Sequence, residues 1–171
     1  LDNPVYGGIK VNSAWDSSQG LGVTVAVIDT GIAYENYTDP LTGKTFAKAP
    51  DFSNTCFVQG YDFVNNDMHA NDENSHGTHV AGTIAQSTND AYGTAGVAFK
   101  SCLMPIRVLD KNGSGTYADV AEGISFAADK GAKEINLSLG GPTGVSYLEE
   151  ALAYAYSKGV TIVAASGNDN A

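Results

Sequence analysis

The chain has 171 residues, 43% of them hydrophobic, and 9 basic against 19 acidic side chains give a net charge of −10. That length and apolar content support one buried core and exclude a disordered chain. The acidic balance disfavours nucleic acid and anionic membrane surfaces as partners and is compatible with bound divalent cations. No apolar run approaches the ~20 residues of a membrane-spanning helix, and the start at Leu1 reads as that of a mature or trimmed product.

The first twenty residues read as an arm and a short helix around Ala14-Trp15, capped by Asn12 or Ser13 and closed by Gly20. Residues 23–28 form an apolar, β-branched strand that ends abruptly at Asp29-Thr-Gly31. Residues 33–53, broken by Asp39-Pro40 and Thr42-Gly43, read as a surface loop. A second strand is predicted over 57–63, followed by an acidic loop too polar to bury. A helix of small residues then runs from Ser75 to Ala85, with Asn74 or Ser75 at its N-cap. A third strand covers 101–108. A helix follows at 117–130, with Thr116 and Asp119 as a capping box and Gly131 at its end. A fourth strand covers 134–139. A helix at 146–158 is opened by Ser146 and Glu149 and closed by Gly159, and a fifth strand covers 160–165.

Strands and helices alternate, and the strands are nearly continuous apolar runs. That pattern predicts an α/β fold, a doubly wound and mostly parallel sheet with helices on both faces, in a single domain. Ligands of such sheets bind beyond the C-terminal strand ends, so Asp29-Thr-Gly31, Ser138-Leu-Gly-Gly141 and Ser166-Gly-Asn168 are expected to converge.

A carboxylate at the tip of a buried strand is costly without a partner, so Asp29 needs one. The histidines are His69, His76 and His79. His76, in the first turn of a small-residue helix, can approach the sheet edge closely. A carboxylate on one ring nitrogen fixes the tautomer and leaves the other nitrogen free to act as a base. An Asp and a His alone would read more readily as a surface ion pair. His79 reads as a hydrogen-bonded core histidine, and the His76-x-x-His79 spacing lacks the Glu of a zinc-protease helix. Cys56 and Cys102 lack a metal-type spacing and read either as one disulfide or as two buried thiols. A Rossmann nucleotide site is disfavoured, because Asp29-Thr-Gly-Ile-Ala-Tyr34 has no Gly-x-Gly-x-x-Gly.

The longer motifs decide the reading. His76-Gly-Thr-His-Val-Ala-Gly after Asp29-Thr-Gly31, then Val108-Leu, Gly113-Ser-Gly115, Ser138-Leu-Gly-Gly141 and Ala164-Ala-Ser-Gly-Asn168, closely resemble the subtilisin-like serine proteases, and in that family's order. The resemblance covers almost the whole chain. It implies Asp29 as triad acid, His76 as general base and Asn168 as oxyanion donor. It also implies two substrate-binding edges, Gly113 with Tyr117 and Ser138-Leu139-Gly140, that pair with an extended peptide. The stretch from Tyr61 to Asn71 resembles a calcium loop of thermitase-like members, with Asp62, Asp67 and Asn71 as ligands. Asn65 stands there where an acid would strengthen the site. A second Ca²⁺ set would use Asp51 and Asp90. The family's sheet order makes the strands of Cys56 and Cys102 neighbours, which favours the disulfide.

The family's nucleophilic serine lies in a Gly-Thr-Ser-Met-Ala-type motif downstream of the oxyanion asparagine, and no serine before Ala171 has that context. The expectation is therefore the N-terminal portion of one secreted peptidase domain, 1–171, its sheet incomplete without a C-terminal remainder that carries the serine. Expected partners are a protein or peptide substrate, that remainder, and a propeptide or protein inhibitor. The alternative is a non-catalytic fragment that binds peptides through its strand edges.

Overall fold

The computed structural model describes residues 8–141 and 145–168, so the expected N-terminal arm lies largely outside the described residues. The elements are α1 (Val11–Trp15), β1 (Thr24–Asp29), β2 (Tyr37–Thr38), β3 (Thr45–Phe46), a 3₁₀ turn (Pro50–Phe52), β4 (Cys56–Phe57) and β5 (Tyr61–Asp62). They continue with α2 (His76–Ala85), β6 (Cys102–Arg107), α3 (Tyr117–Asp129), β7 (Glu134–Leu137), α4 (Ser146–Ser157) and β8 (Thr161–Ala164).

The main sheet has the order β4-β6-β1-β7-β8, with β5 also paired to β6, and every pairing in it is parallel. β1 is its centre. Val27 and Ile28 are wholly buried, each worth roughly 1.5–3 kcal/mol relative to exposure. Alternate residues of β1 point to opposite faces. Val25 and Val27 pack with Leu103, Phe52, Ala81 and Ala85 beneath α2, while Ala26 and Ile28 pack with Met104, Ile106 and Ile135 beneath α3 and α4. The helices thus cover both faces, as the doubly wound pattern requires.

Four local expectations change. α1 begins earlier than expected, behind Lys10, so Asn12 and Ser13 lie inside the helix instead of capping it. The supposed loop at 33–53 holds the β2–β3 hairpin, whose Tyr37 and Phe46 rings stack at 6.3 Å around the Asp39-Pro40 turn. The expected strand at 57–63 is two short strands. From Phe57 to Tyr61 the chain advances four residues while its partner advances only from Leu103 to Ile106, which is a bulge. Pro105, midway along β6, supplies no N–H there, and a side-chain carbon on Gly60 would overlap its carbonyl. α4 is preceded by Val145 with no side-chain cap, so Ser146 is the first helical residue. The Thr116–Asp119 cap forms as expected, with Asp119 N–H donating to the Thr116 hydroxyl at 3.1 Å.

Cys56 and Cys102 are register partners on β4 and β6 and form a disulfide. Closing a chain segment with a separation of 46 residues contributes about 4 kcal/mol by restricting the unfolded state.

Candidate active site

β1 delivers Asp29 to the C-terminal edge of the sheet, fully buried, while α2 starts with His76, whose side chain is 49% exposed. His76 Nδ1 lies 2.8 Å from Asp29 Oδ1 and 3.0 Å from Oδ2. The Thr30 N–H donates to the same Oδ1 at 2.7 Å, which holds the carboxylate plane. The close approach needs Gly77, because a Cβ there would run into the Gly31 carbonyl and the Asp29 side chain. An ionised carboxylate only accepts, so Nδ1 carries the proton given to Asp29, and in the neutral imidazole Nε2 is left as an acceptor.

His76 borders a cleft of about 820 Å³. Gly113, Tyr117, Ser138, Leu139 and Gly140 all line this one cavity. The Gly113 edge belongs to a turn held by Asp110, whose carboxylate accepts the Ser114 and Asn112 N–H groups at 3.0 and 2.8 Å. Those donors hold its carboxyl below the usual aspartate range. Asn168 lies past β8, exposed, and is not among the described residues that line the cleft.

The proposed metal ligands fall in two places. Asp62 is fully buried and engaged. Its Oδ1 accepts the Val64 and Asn65 N–H groups, and its Oδ2 faces the Arg107 guanidinium at 3.1 Å. Burial pushes its carboxyl up, against the pull of those donors and of Arg107. Asp67 Oδ1 accepts the His69 N–H at 2.7 Å. Asn71 donates to Glu35 at 2.8 Å, and its buried Oδ1 has no hydrogen-bond partner among the described residues. At the second place, Asp51 Oδ1 is likewise buried without a partner, and a Cβ on Gly93 would collide with that carboxylate. Asp90 accepts the Tyr92 N–H at 3.2 Å. Among the described residues no group of three or more His, Cys, Asp or Glu side chains is arranged to hold a metal ion.

His79 departs from expectation. The buried stripe of α2 is Gly77, Ala81, Gly82 and Ala85, which turns His79 and Thr83 outward, so His79 is exposed rather than a core residue. Three residues around the site escaped the sequence reading: Thr30, Asp72 and Arg107. Thr30 and Asp72 did carry a signal, a hydroxyl beside Asp29 and an acid shortly before a helix start. Arg107 carried none, since its partners are set by the register of β5 on β6.

A sequence model of the Subtilase family matches residues 20–171. The chain is 46% identical over 165 residues to Thermitase of Thermoactinomyces vulgaris, covering 95% of this chain and 54% of that protein. It is 48% identical over 158 residues to the Thermophilic serine proteinase of Bacillus sp. (strain AK1), covering 91% of this chain and 36% of that protein. Among solved structures, Sphericase superposes with a TM-score of 0.75 at 38% identity, covering 89% of this chain and 48% of that one. A cold adapted subtilisin-like serine proteinase superposes at 0.73 with 36% identity, covering 90% and 50%. The chain thus spans about half the length, or less, of the relatives it matches. The family match over residues 20–171, together with an aspartate-paired histidine lining the cleft, identifies this chain as a member of the subtilase family.

Proposed function

We propose that the chain supplies the acid and base of a secreted serine endopeptidase whose nucleophilic serine lies on residues beyond this sequence. The observation that carries the reading is the Asp29–His76 bond at 2.8 Å beside a cleft lined by Gly113, Tyr117, Ser138, Leu139 and Gly140. His76 Nε2 takes the proton from the serine hydroxyl as its oxygen bonds to the scissile carbonyl carbon. The same proton passes to the leaving amine as the C–N bond breaks. Water then attacks the acyl group, with His76 again accepting and returning a proton. Asp29 stabilises the charged imidazole throughout and keeps its own carboxylate ionised. The Asn168 amide serves as a donor to the oxyanion. The edges at Gly113 with Tyr117 and at Ser138-Leu139-Gly140 take the substrate backbone between them as an added strand. β8 ends the described sheet with Val163 46% exposed, an edge suited to cover by the C-terminal remainder. A disulfide fits an oxidising, extracellular setting, and no helix among the described residues is long and apolar enough to cross a membrane. Hydrolysis of an extended peptide anilide by the full-length protein tests the reading. His76→Ala is expected to abolish turnover; undiminished turnover in that variant would overturn the acid–base reading, and no turnover by the parent protein would leave only a peptide-binding role.

The calcium sites belong to the same proposal. Asp51 fits a cation best, because its orphaned buried oxygen and the bare Gly93 backbone leave a hard-oxygen cradle, with Asp90 as a second carboxylate. At the other loop, Asn71 Oδ1 and Asp67 remain to hold an ion, whereas Asp62 already serves Arg107. A bound ion would neutralise these acids and tie the loops together. Chelation is expected to lower the melting temperature of the full-length protein, by an amount that grows with the calcium concentration of the reference sample. Asp51→Asn should shrink that response. A melting temperature indifferent to chelator would remove the calcium proposal.

A further inference from the structure

The helix that carries His76 has an unusual start. Its N-cap residue, Ser75, sits at a left-handed φ of 89° and gives no side-chain cap. The N–H groups of the first turn are nevertheless all satisfied from elsewhere. His76 N–H donates to Asn74 Oδ1 at 3.3 Å, Gly77 N–H to the Thr30 hydroxyl at 2.9 Å, and Thr78 N–H to Asp72 Oδ2 at 3.0 Å. Asp72 collects more than one of the available donors. Its Oδ2 also accepts the Thr78 hydroxyl at 2.5 Å. Its Oδ1 accepts the Asn74 N–H at 2.8 Å, the Ser75 N–H at 3.0 Å and the Thr30 hydroxyl at 2.9 Å.

The Thr30 bond matters most. A hydroxyl has one proton, and Thr30 gives it to Asp72, so its lone pairs are turned toward Gly77 N–H. Thr30 is also the residue whose backbone N–H fixes Asp29 Oδ1. The Thr78 hydroxyl, donating to Asp72, accepts in turn from the Ala33 N–H at 3.0 Å. One carboxylate therefore binds the chain just after Asp29 to the helix turn that begins with His76. It does so through donors on both sides, while among the described residues no hydrogen bond joins it to the side chain of Asp29 or His76.

We propose that Asp72 is a positioning residue, a second carboxylate that sets the distance and angle at which His76 meets Asp29. The proposal rests on the reading of Asp29 and His76 as the acid–base pair. Asparagine is the discriminating substitution. An amide oxygen can accept on one side only, and its NH₂ would face donors from Thr30 or Thr78. A misplacement on the order of 1 Å at such a site costs about a hundredfold in rate.

The test is made on the full-length protein. Asp72→Asn is expected to lower kcat about ten- to a hundredfold. KM should change little, because Asp72 is not among the described residues that line the substrate cleft. The low-field proton resonance of His76 Nδ1–H should shift or broaden in parallel. Thr30→Val, at a residue that itself lines the cleft, is expected to lower kcat and perturb the resonance in the same direction, and the double variant to lose little beyond the worse single one, since both remove the Thr30–Asp72 bond. Should Asp72→Asn fail to fold, Thr30→Val carries the same prediction. Unchanged kcat together with an unchanged His76 resonance would overturn the proposal, as would losses that simply multiply in the double variant. If His76→Ala itself keeps full activity, the acid–base reading fails instead. A dead His76→Ala beside a fully active Asp72→Asn sinks only the positioning role.

Discussion

Replacing Asp29 by Asn in the full-length protein is expected to lower kcat by roughly 10⁴-fold, with KM nearly unchanged. The side chain is fully buried, and its Oδ1 is already fixed by the Thr30 N–H at 2.7 Å. The carbonyl oxygen of an asparagine would keep that bond, which puts its NH₂ at the Oδ2 position, 3.0 Å from His76 Nδ1. The imidazole would then be held with its proton on Nε2, the tautomer that cannot accept a proton from the serine. The geometry survives while the chemistry is lost. A loss of that size corresponds to about 5.5 kcal/mol of transition-state stabilisation. Steady-state kinetics on a peptide anilide provide the check. A fall in kcat/KM carried by KM alone would mean that Asp29 only shapes the cleft.

The second large effect concerns stability. Arg107→Met is expected to destabilise the protein by about 3–5 kcal/mol, because it strands a buried carboxylate. Arg107 is 4% exposed at its side chain and Asp62 is 0%, at 3.1 Å, with Glu73 at 3.8 Å and the Leu109 carbonyl at 3.3 Å. The pair lies in register beside Asp29: Arg107 on β6 faces Asp29 on β1 and Asp62 on β5. The pH dependence has a definite sign. Burial already raises the Asp62 carboxyl above its ordinary value of 3.8, so the folded state binds that proton more tightly than the unfolded state. Stability linked to this group is present below that value and lost as pH rises through the raised one. Without Arg107 the carboxyl rises further, so the gap between variant and parent should narrow as pH falls from 7 toward 5. Urea unfolding at both values, in a His76→Ala background that suppresses self-digestion, measures it. A penalty that widens with acidification would contradict the account.

These two residues also mark what a sequence can and cannot disclose. Asp29 was legible because an apolar run breaks at an acid that burial forces to find a partner. His76 was legible because a helix rich in small residues follows it, and Gly77 proves indispensable for its approach to Asp29. The sheet was legible from the alternation of apolar runs with helical stretches. Arg107 looks like an ordinary strand end in sequence; only the register against β5 makes it the partner of Asp62. Asp72 offers in sequence only the faint signal of an acid shortly before a helix start, and its bonds to Thr30, Ser75 and Thr78 emerge only in the fold. The misread elements had local causes. Pro105 inside a predicted strand was an available warning of the bulge between β4 and β5. The exposure of His79 follows from the helical stripe set by Ala81 and Ala85, a pattern that small residues make faint.

The central claim is that this chain holds the acid and base of a protease whose nucleophile lies elsewhere in the protein. Labelling of the full-length protein with a serine-directed fluorophosphonate, followed by peptide mapping, tests it most directly. The expected result is a single modified serine outside residues 1–171, with no labelling in His76→Ala. A label on Ser114, Ser138 or Ser166, or labelling undiminished by the loss of His76, would contradict it.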